Sequence, residues 1–307
     1  MIVLQGAKER VDVLEFSPDG RSLVAPCRDG VQIWHDGLAA PKPSVVLDHR
    51  EIWAVRFTPD GRQMVLGGER GSLIFHDLQT GKFLNVPLKL EDAGVWLECT
   101  PDGKSLLVAQ VDYLKKPPGR ISCFKLVKPT TPVWSITTAR NITTGPLFLA
   151  KGNQFVIFEW HADPPDDYWQ VAVTRKTRTG GPVAEKRVVG EASFYSPIVS
   201  PDRTLIAGRL RGWLAILKTN ALGKQPVKVS NDGKKEFTGL AFHPSGRYLA
   251  ATSNDATVKL YDTATWKVHT AFDWKIGRLR SVAFSPDGMR AAAGGDSGKI
   301  VIWDVDL

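Results

Sequence analysis

Seven times this chain runs an apolar stretch into a tight turn of the Pro-Asp-Gly type, and that recurrence constrains its fold more than any other feature. The clearest copies are Phe16-Ser17-Pro18-Asp19-Gly20, Phe57-Thr58-Pro59-Asp60-Gly61 and Phe284-Ser285-Pro286-Asp287-Gly288. Cys99-Thr100-Pro101-Asp102-Gly103 and Phe242-His243-Pro244-Ser245-Gly246 are near matches, while Val199-Ser200-Pro201-Asp202-Arg203 and Phe148-Leu149-Ala150-Lys151-Gly152 are worn ones. The proline slot falls at 18, 59, 101, 150, 201, 244 and 286, in steps of 41 to 51 residues. Pro presets φ at the second turn position and Gly supplies the positive φ needed after it, so the repeated turn has a mechanical cause.

Each repeat carries the same four β-rich stretches. One enters the turn (Val11 to Phe16, Ile52 to Phe57, Leu279 to Phe284) and a second leaves it (Ser22 to Ala25, Gln63 to Leu66, Tyr248 to Ala251). After a Gly/Asp/Asn turn comes an alternating third (Val31 to Trp34, Val258 to Asp262, Ile300 to Asp304), then a shorter fourth such as Pro43 to Leu47. No amphipathic helical pattern is present. Four short strands repeated at about 40–45 residues are the pattern of a β-propeller. The chain therefore reads as all-β: a seven-bladed β-propeller of four-stranded antiparallel blades.

The phase of the two ends fits that count. The C-terminus stops at the third strand of the last unit, and Ile2-Val3-Leu4-Gln5 fits the missing fourth-strand slot. Residues 2 to 5 are expected to pair beside 299 to 304, closing the ring and removing two open sheet edges. Length alone would suggest about two domains; the repeat overrides that prior, and residues 1–307 read as one domain.

Composition adds looser bounds. With 43% hydrophobic residues the chain can bury a full core, and no segment approaches the 18 or so uncharged residues of a membrane span. The N-terminal apolar run ends at Lys8, Glu9 and Arg10, too soon for a secretory signal. Cys27, Cys99 and Cys123 are odd in number and sit in strand positions, which points to buried free thiols. A cytoplasmic location is expected. A mature secreted form with its signal removed is the alternative.

The turns, together with Asp255, Tyr261-Asp262 and Trp303-Asp304, resemble those of the WD-repeat (tryptophan–aspartate repeat) propellers over essentially the whole chain. The richness in Phe-Ser-Pro-Asp-Gly and poverty in Gly-His look like bacterial members of that family. Only Trp303-Asp304 is an intact Trp-Asp pair; Trp34-His35-Asp36, Phe75-His76-Asp77, Phe124-Lys125 and Leu217-Lys218 stand elsewhere. The buried His–Ser/Thr–Asp–Trp set that the resemblance implies should therefore be missing or partial in most blades. Since a half-satisfied polar network is worse than an apolar one, apolar substitution is expected there.

The net charge of +8 is spread over two sets of loops. Arg21, Arg62, Lys104, Arg247 and Arg290 follow the repeated turn on one face, where they read as solvating charge. Arg10, Arg28, Arg50, Arg70, Arg209, Arg211, Lys234, Lys235, Arg278 and Arg280 fall in loops of the opposite face, interleaved with Glu9, Asp29, Asp48, Glu51, Glu69 and Asp232. Nucleic-acid binding calls for a one-sided basic patch with exposed aromatics. A mixed surface suits a protein or peptide partner better.

The resemblance places partners on that second face, at the start of the first strand, two residues before it, and just ahead of the Asp of the second-to-third turn. Carried over by register, these positions are Arg10, Asp12, Arg28, Arg50, Trp53, Asn254, Arg278 and Arg280. Trp and Arg dominate interface energetics when desolvated; the competing readings are a Trp53 packed between blades and an Arg cluster that is only a solvated rim. Two Pro-Pro insertions, around residues 112–120 and 161–169, interrupt units three and four between strands two and three. Tyr113, Tyr168 and Trp169 would be their aromatic anchors. Alternatively, the insertions only cap the two most divergent blades.

Catalytic chemistry finds little footing. His161, Asp163, Asp166 and Asp167 share one loop without a His or Cys partner at ligand spacing, the glycines are blade punctuation, and there is no Gly-x-Ser-x-Gly. No catalytic residue, metal, cofactor or membrane contact is expected. The favoured reading is a monomeric, non-catalytic protein–protein interaction scaffold. An enzyme or small-ligand binder using the central channel is the alternative, since the fold does not forbid it.

Overall fold

The computed structural model describes all residues except 6, 8, 28, 36–40, 69–71, 89–92, 113–118, 164–166, 189–193, 211 and 232–234, and at 72, 93, 112, 161–163, 167 and 168 it describes the backbone alone. The chain is all-β, with seven four-stranded antiparallel sheets, and its fold class is a seven-bladed β-propeller. Six sheets are built from consecutive strands. Blade one, for instance, comprises Glu15–Phe16, Leu23–Cys27, Gly30–Trp34 and Val45–Leu47. The seventh joins Leu279–Phe284, Arg290–Gly295 and Ile300–Asp304 to the N-terminal strand Ile2–Leu4, with Ile2 opposite Ile302, Val3 opposite Val301 and Leu4 opposite Ile300. The N-terminal stretch thus fills the slot expected of it.

Two compact units make up the chain, Met1–Phe57 with Arg211–Leu214 and Val229–Leu307, and Thr58–Leu210 with Ala215–Lys228. The first holds blades one, six and seven entire. Its core includes Leu4, Val11, Phe16, Leu23, Trp34 and Ile300 in one cluster, and Val258, Leu260, Leu279, Val301 and Trp303 in another. The second holds blades three and four entire, with Leu107, Ile121, Phe155 and Val173 at its centre. Middle strands such as Leu23–Cys27 and Tyr248–Ser253 are buried along their whole length. A strand covered on both faces must be a near-continuous apolar run, which is why alternation is faint there. Outer strands such as Pro182–Arg187 are exposed throughout and carry charge, the usual protection of an edge.

The repeated turn is held by one hydrogen-bonding device. In blade one, Ser17 Oγ donates to Asp19 Oδ1 (2.6 Å), the Ser22 N–H donates to Ser17 Oγ (2.9 Å) and the Arg21 N–H to Asp19 Oδ1 (3.0 Å). Thr58/Asp60, Thr100/Asp102, Ser200/Asp202 and Ser285/Asp287 repeat it. In blade six His243 takes the hydroxyl's place, its Nδ1 meeting Ser245 Oγ at 2.7 Å and its Nε2 meeting the Gly288 carbonyl at 3.1 Å.

Four expectations need correction. First, the entering strand of blade one is only Glu15–Phe16. Val11 is drawn off to blade seven, where its N–H donates to the Gly295 carbonyl (3.0 Å) and its carbonyl accepts from Ser281 Oγ (2.9 Å). Second, the Pro-Pro insertions are not loops from end to end. In blade four the strands Gln154–Asp163 and Asp167–Lys176 stay paired through His161–Trp169, Ala162–Tyr168 and Asp163–Asp167, so most of the insertion is strand.

Third, the polar positions of the blades are not uniformly replaced by apolar ones. Blade six keeps a buried set in which Asn231 Nδ2 donates to Ser253 Oγ and Lys259 Nζ donates to Asn231 Oδ1, both at 2.9 Å. Blade four buries Glu159 within 3.4 Å of Arg175 and 3.6 Å of Arg140, and burial pushes its carboxyl above the usual range against those cations. By contrast, the indole Nε1 atoms of Trp34 and Trp303 are buried without a partner among the described residues. Fourth, Cys27 and Cys123 are buried free thiols, whereas Cys99 is half-buried. Burial, with Asp29 and Asp12 nearby, pushes Cys27 up to about 12, so it is inert at neutral pH.

Candidate interaction site

Arg10, Asp12, Arg278 and Arg280 converge at one end of the first unit. Two close backbone approaches make this possible. A Cβ on Gly295 would collide with the Arg278 carbonyl, and one on Gly298, whose φ is +72°, would collide with the Ala7 carbonyl. Glycine at these two positions lets the segments before blades one and seven lie against the second-to-third turn of blade seven. The Asp296 N–H then donates to the Arg278 carbonyl at 2.9 Å.

The side chains form a charged corner on that frame. Arg10 Nε lies 2.7 Å from Asp12 Oδ2. Arg280 takes Asp296 with two donors, Nε to Oδ1 at 2.6 Å and Nη2 to Oδ2 at 3.4 Å. That bond, and then the nearby Arg278 and Arg10 charges, hold the Asp296 carboxyl below its ordinary value against a smaller opposing effect of burial. Arg280 is raised in turn, first by its bond to Asp296. Arg278 is exposed, and its side chain makes no hydrogen bond or ion pair among the described residues.

The other expected residues are placed differently. Trp53 is 44% exposed on the first strand of blade two, so packing between blades does not account for it. Arg50 stands in solvent, paired among the described residues only with Asp48, at 3.4 Å. Asn254 is engaged by its own loop. Its Oδ1 accepts the Glu236 N–H (3.2 Å), and its N–H donates to the Glu236 carbonyl (3.0 Å). Beside it Asp255 is held at about 2; burial pushes it up, and bonds from Thr257, Ser253 and Lys235 outweigh that. In the second unit, Trp169 is half-buried under the Arg187 guanidinium, 4.3 Å from the ring centroid. Tyr168 is placed only by its backbone pairing with Ala162. Arg28 and Tyr113, like Arg70, Arg211 and Lys234, lie outside the described residues.

Asp296 is the residue that sequence reasoning missed. Ser297 precedes Trp303 by the same interval as Asp255 precedes Tyr261, so Asp296 corresponds to Asn254. Aligning on the aromatic residue rather than on the turn Asp would have found it. Trp213, 43% exposed at the start of the third strand of blade five, was missed as well.

A family model described as "WD domain, G-beta repeat" matches residues 225–262 and 264–304, which span blades six and seven. The chain carries WD repeats. Among curated relatives, the target of rapamycin complex subunit wat1 of Schizosaccharomyces pombe is 25% identical over 107 residues, 35% of this chain and 34% of that protein. The target of rapamycin complex subunit LST8 of Bos taurus is 26% identical over 109 residues, 35% of this chain and 33% of that protein. The WD repeat-containing protein VIP3 of Arabidopsis thaliana is 37% identical over 96 residues, 26% of this chain and 29% of that protein. The WD-repeat chain therefore matches about a third of these relatives' length or less. All three are eukaryotic and lend no support to the bacterial-style reading.

Proposed function

We propose that this WD-repeat chain is a non-catalytic protein–protein interaction scaffold whose partner docks on the end of the first unit that carries Trp53 and the Arg10–Arg278–Arg280 corner. One observation carries the reading: an indole left 44% exposed at the second position of the first strand of blade two, the position that Arg280 holds in blade seven. A large aromatic in water gains most from being covered, and Trp and Arg are the residue types that concentrate binding energy once desolvated. Two of the relatives are named as subunits of a complex, which supports a protein partner. The reading includes a single domain over residues 1–307, a monomer when unpartnered, and a cytoplasmic location. No helix among the described residues is long and apolar enough to cross a membrane.

The test is recovery of partners on the immobilised intact chain from a lysate of its source organism, identified by mass spectrometry. Trp53→Ala should remove a partner that the parent retains, while Arg21→Glu, on the turn side of the repeats, should keep it. Equal loss from both changes would mean general charge attraction, and turnover of a substrate by the purified chain would replace the scaffold with an enzyme.

A further inference from the structure

We propose that the corner formed by Arg10, Arg278 and Arg280 recognises a carboxylate of an acidic segment in the protein partner, with Arg278 as the residue that grasps it. This rests on the scaffold reading and adds the chemistry of what is bound.

Among the described residues the guanidinium groups of Arg10, Arg278 and Arg280 meet Asp12 and Asp296 here, and both of these carboxylates are already occupied: Asp12 by Arg10 at 2.7 Å and Asp296 by the two-donor contact from Arg280. Arg278 remains, exposed, its five donors uncommitted among the described residues. Lys299, also exposed and without an ion pair among the described residues, is a further cation, on the second-to-third turn of blade seven against which the Arg278 segment lies. The unmet electrostatic demand is therefore for an anion.

Asp12 and Asp296 also shape which anion fits. By holding Arg10 and Arg280 in place they leave only Arg278 to lose rotamer freedom on binding, which lowers the cost of association. A carboxylate matches the guanidinium fork with two parallel hydrogen bonds. A nucleic-acid strand fits poorly, because it brings a negative charge about every 3.4 Å past two fixed carboxylates that would repel it. An isolated carboxylate can sit over Arg278 and avoid both.

The experiment uses the full chain and three fluorescein-labelled probes: a twelve-residue peptide of alternating Glu and Leu, the same peptide with Gln for Glu, and a twelve-nucleotide single-stranded DNA. Fluorescence anisotropy is read at low and physiological salt, with melting temperature as the check on folding. The Glu peptide should bind at least about fivefold more tightly than the Gln peptide, as a charge-assisted contact requires. Arg278→Gln should weaken the Glu peptide by about the same factor, leaving the Gln peptide and the melting temperature unchanged. Arg278→Lys should restore part of the loss, and Arg21→Gln should do nothing.

Equal binding of the two peptides, no binding of either up to millimolar concentration, or indifference to Arg278→Gln would overturn the inference. DNA binding more tightly than the Glu peptide would assign the corner to phosphate instead. A partner lost with Trp53→Ala but kept with Arg278→Gln would leave the scaffold reading standing and remove this one alone.

Discussion

Arg203 occupies a turn position that glycine fills in all six other repeats, and it adopts φ +60° there, against +67° to +74° for Gly20, Gly61, Gly103, Gly152, Gly246 and Gly288. Its N–H closes the same turn bond to the Ser200 carbonyl at 2.8 Å. A left-handed conformation costs an L-residue with a side chain roughly 1–2 kcal/mol, while glycine loses about 0.4–1 kcal/mol more backbone entropy on folding. The Arg203 side chain makes no polar contact among the described residues to set against this. Arg203→Gly should therefore stabilise the protein by about 0.5–1 kcal/mol, read as a higher urea midpoint at unchanged m-value. A lower midpoint would show that the arginine stem packs usefully over blade five. The residue survives at a worn copy of the turn because the Ser200–Asp202 bond (2.6 Å) and the backbone closure are both intact without glycine.

At the scale of elements, the strand Ile2–Leu4 is short yet holds the last blade's outer edge. Leu4 is fully buried with Val11, Ile300 and Ile302, and the Gln5 N–H continues the contact by donating to the Pro41 carbonyl at 2.6 Å. Burying such a leucine is worth about 1.5–3 kcal/mol. Removing residues 1–4 also bares the hydrogen-bonding edge of Ile300–Asp304. The truncated chain should melt several degrees lower and self-associate in light scattering; parental melting and parental mass would show that the strand is dispensable. This element was legible in the sequence because the missing fourth strand and the N-terminal apolar run have complementary phase. The blade-four hairpin was not, because Pro164-Pro165 reads as a loop while the strand pairing on either side of it continues to Asp163 and from Asp167. The charged corner was half legible. Repeat register located Arg10, Arg278 and Arg280, but nothing in their spacing revealed that Asp296 would tie them together, since Ser297 stands where the turn Asp was sought. The polar sets of blades four and six were illegible for a related reason: Glu159, Lys259 and Asn231 find partners only once distant segments meet.

For the molecule as a whole, the repeated turns imply a definite response to acid. Asp19, Asp60, Asp102, Asp202 and Asp287 are each held below the ordinary aspartate value of 3.8, first by the Ser or Thr hydroxyl of the turn and then by a backbone N–H. A carboxyl whose folded value is depressed contributes stability that is present above its unfolded value and disappears as pH falls through the folded one. The protein should hold its stability down to about pH 4 and lose it progressively below. Glu159 acts in the opposite sense, because burial raises it, and the folded state takes its proton first as pH falls. One such group does not offset five turns. A second acid effect competes: the net charge, already +8 at neutral pH, grows as carboxylates protonate, and self-repulsion then loosens the fold without reference to any turn. Salt separates the two, since a Debye length of about 3 Å at 1 M screens repulsion across the surface but barely weakens a hydrogen bond made in contact. The loss of melting temperature between pH 7 and pH 3 should therefore persist in 1 M salt. It should also be smaller in an Asp202→Asn, Asp287→Asn double variant, which begins less stable at pH 7 and has fewer depressed carboxyls to protonate. Abolition of the acid loss by salt, with parent and variant losing equally without it, would assign the effect to net charge and remove the turns from the account.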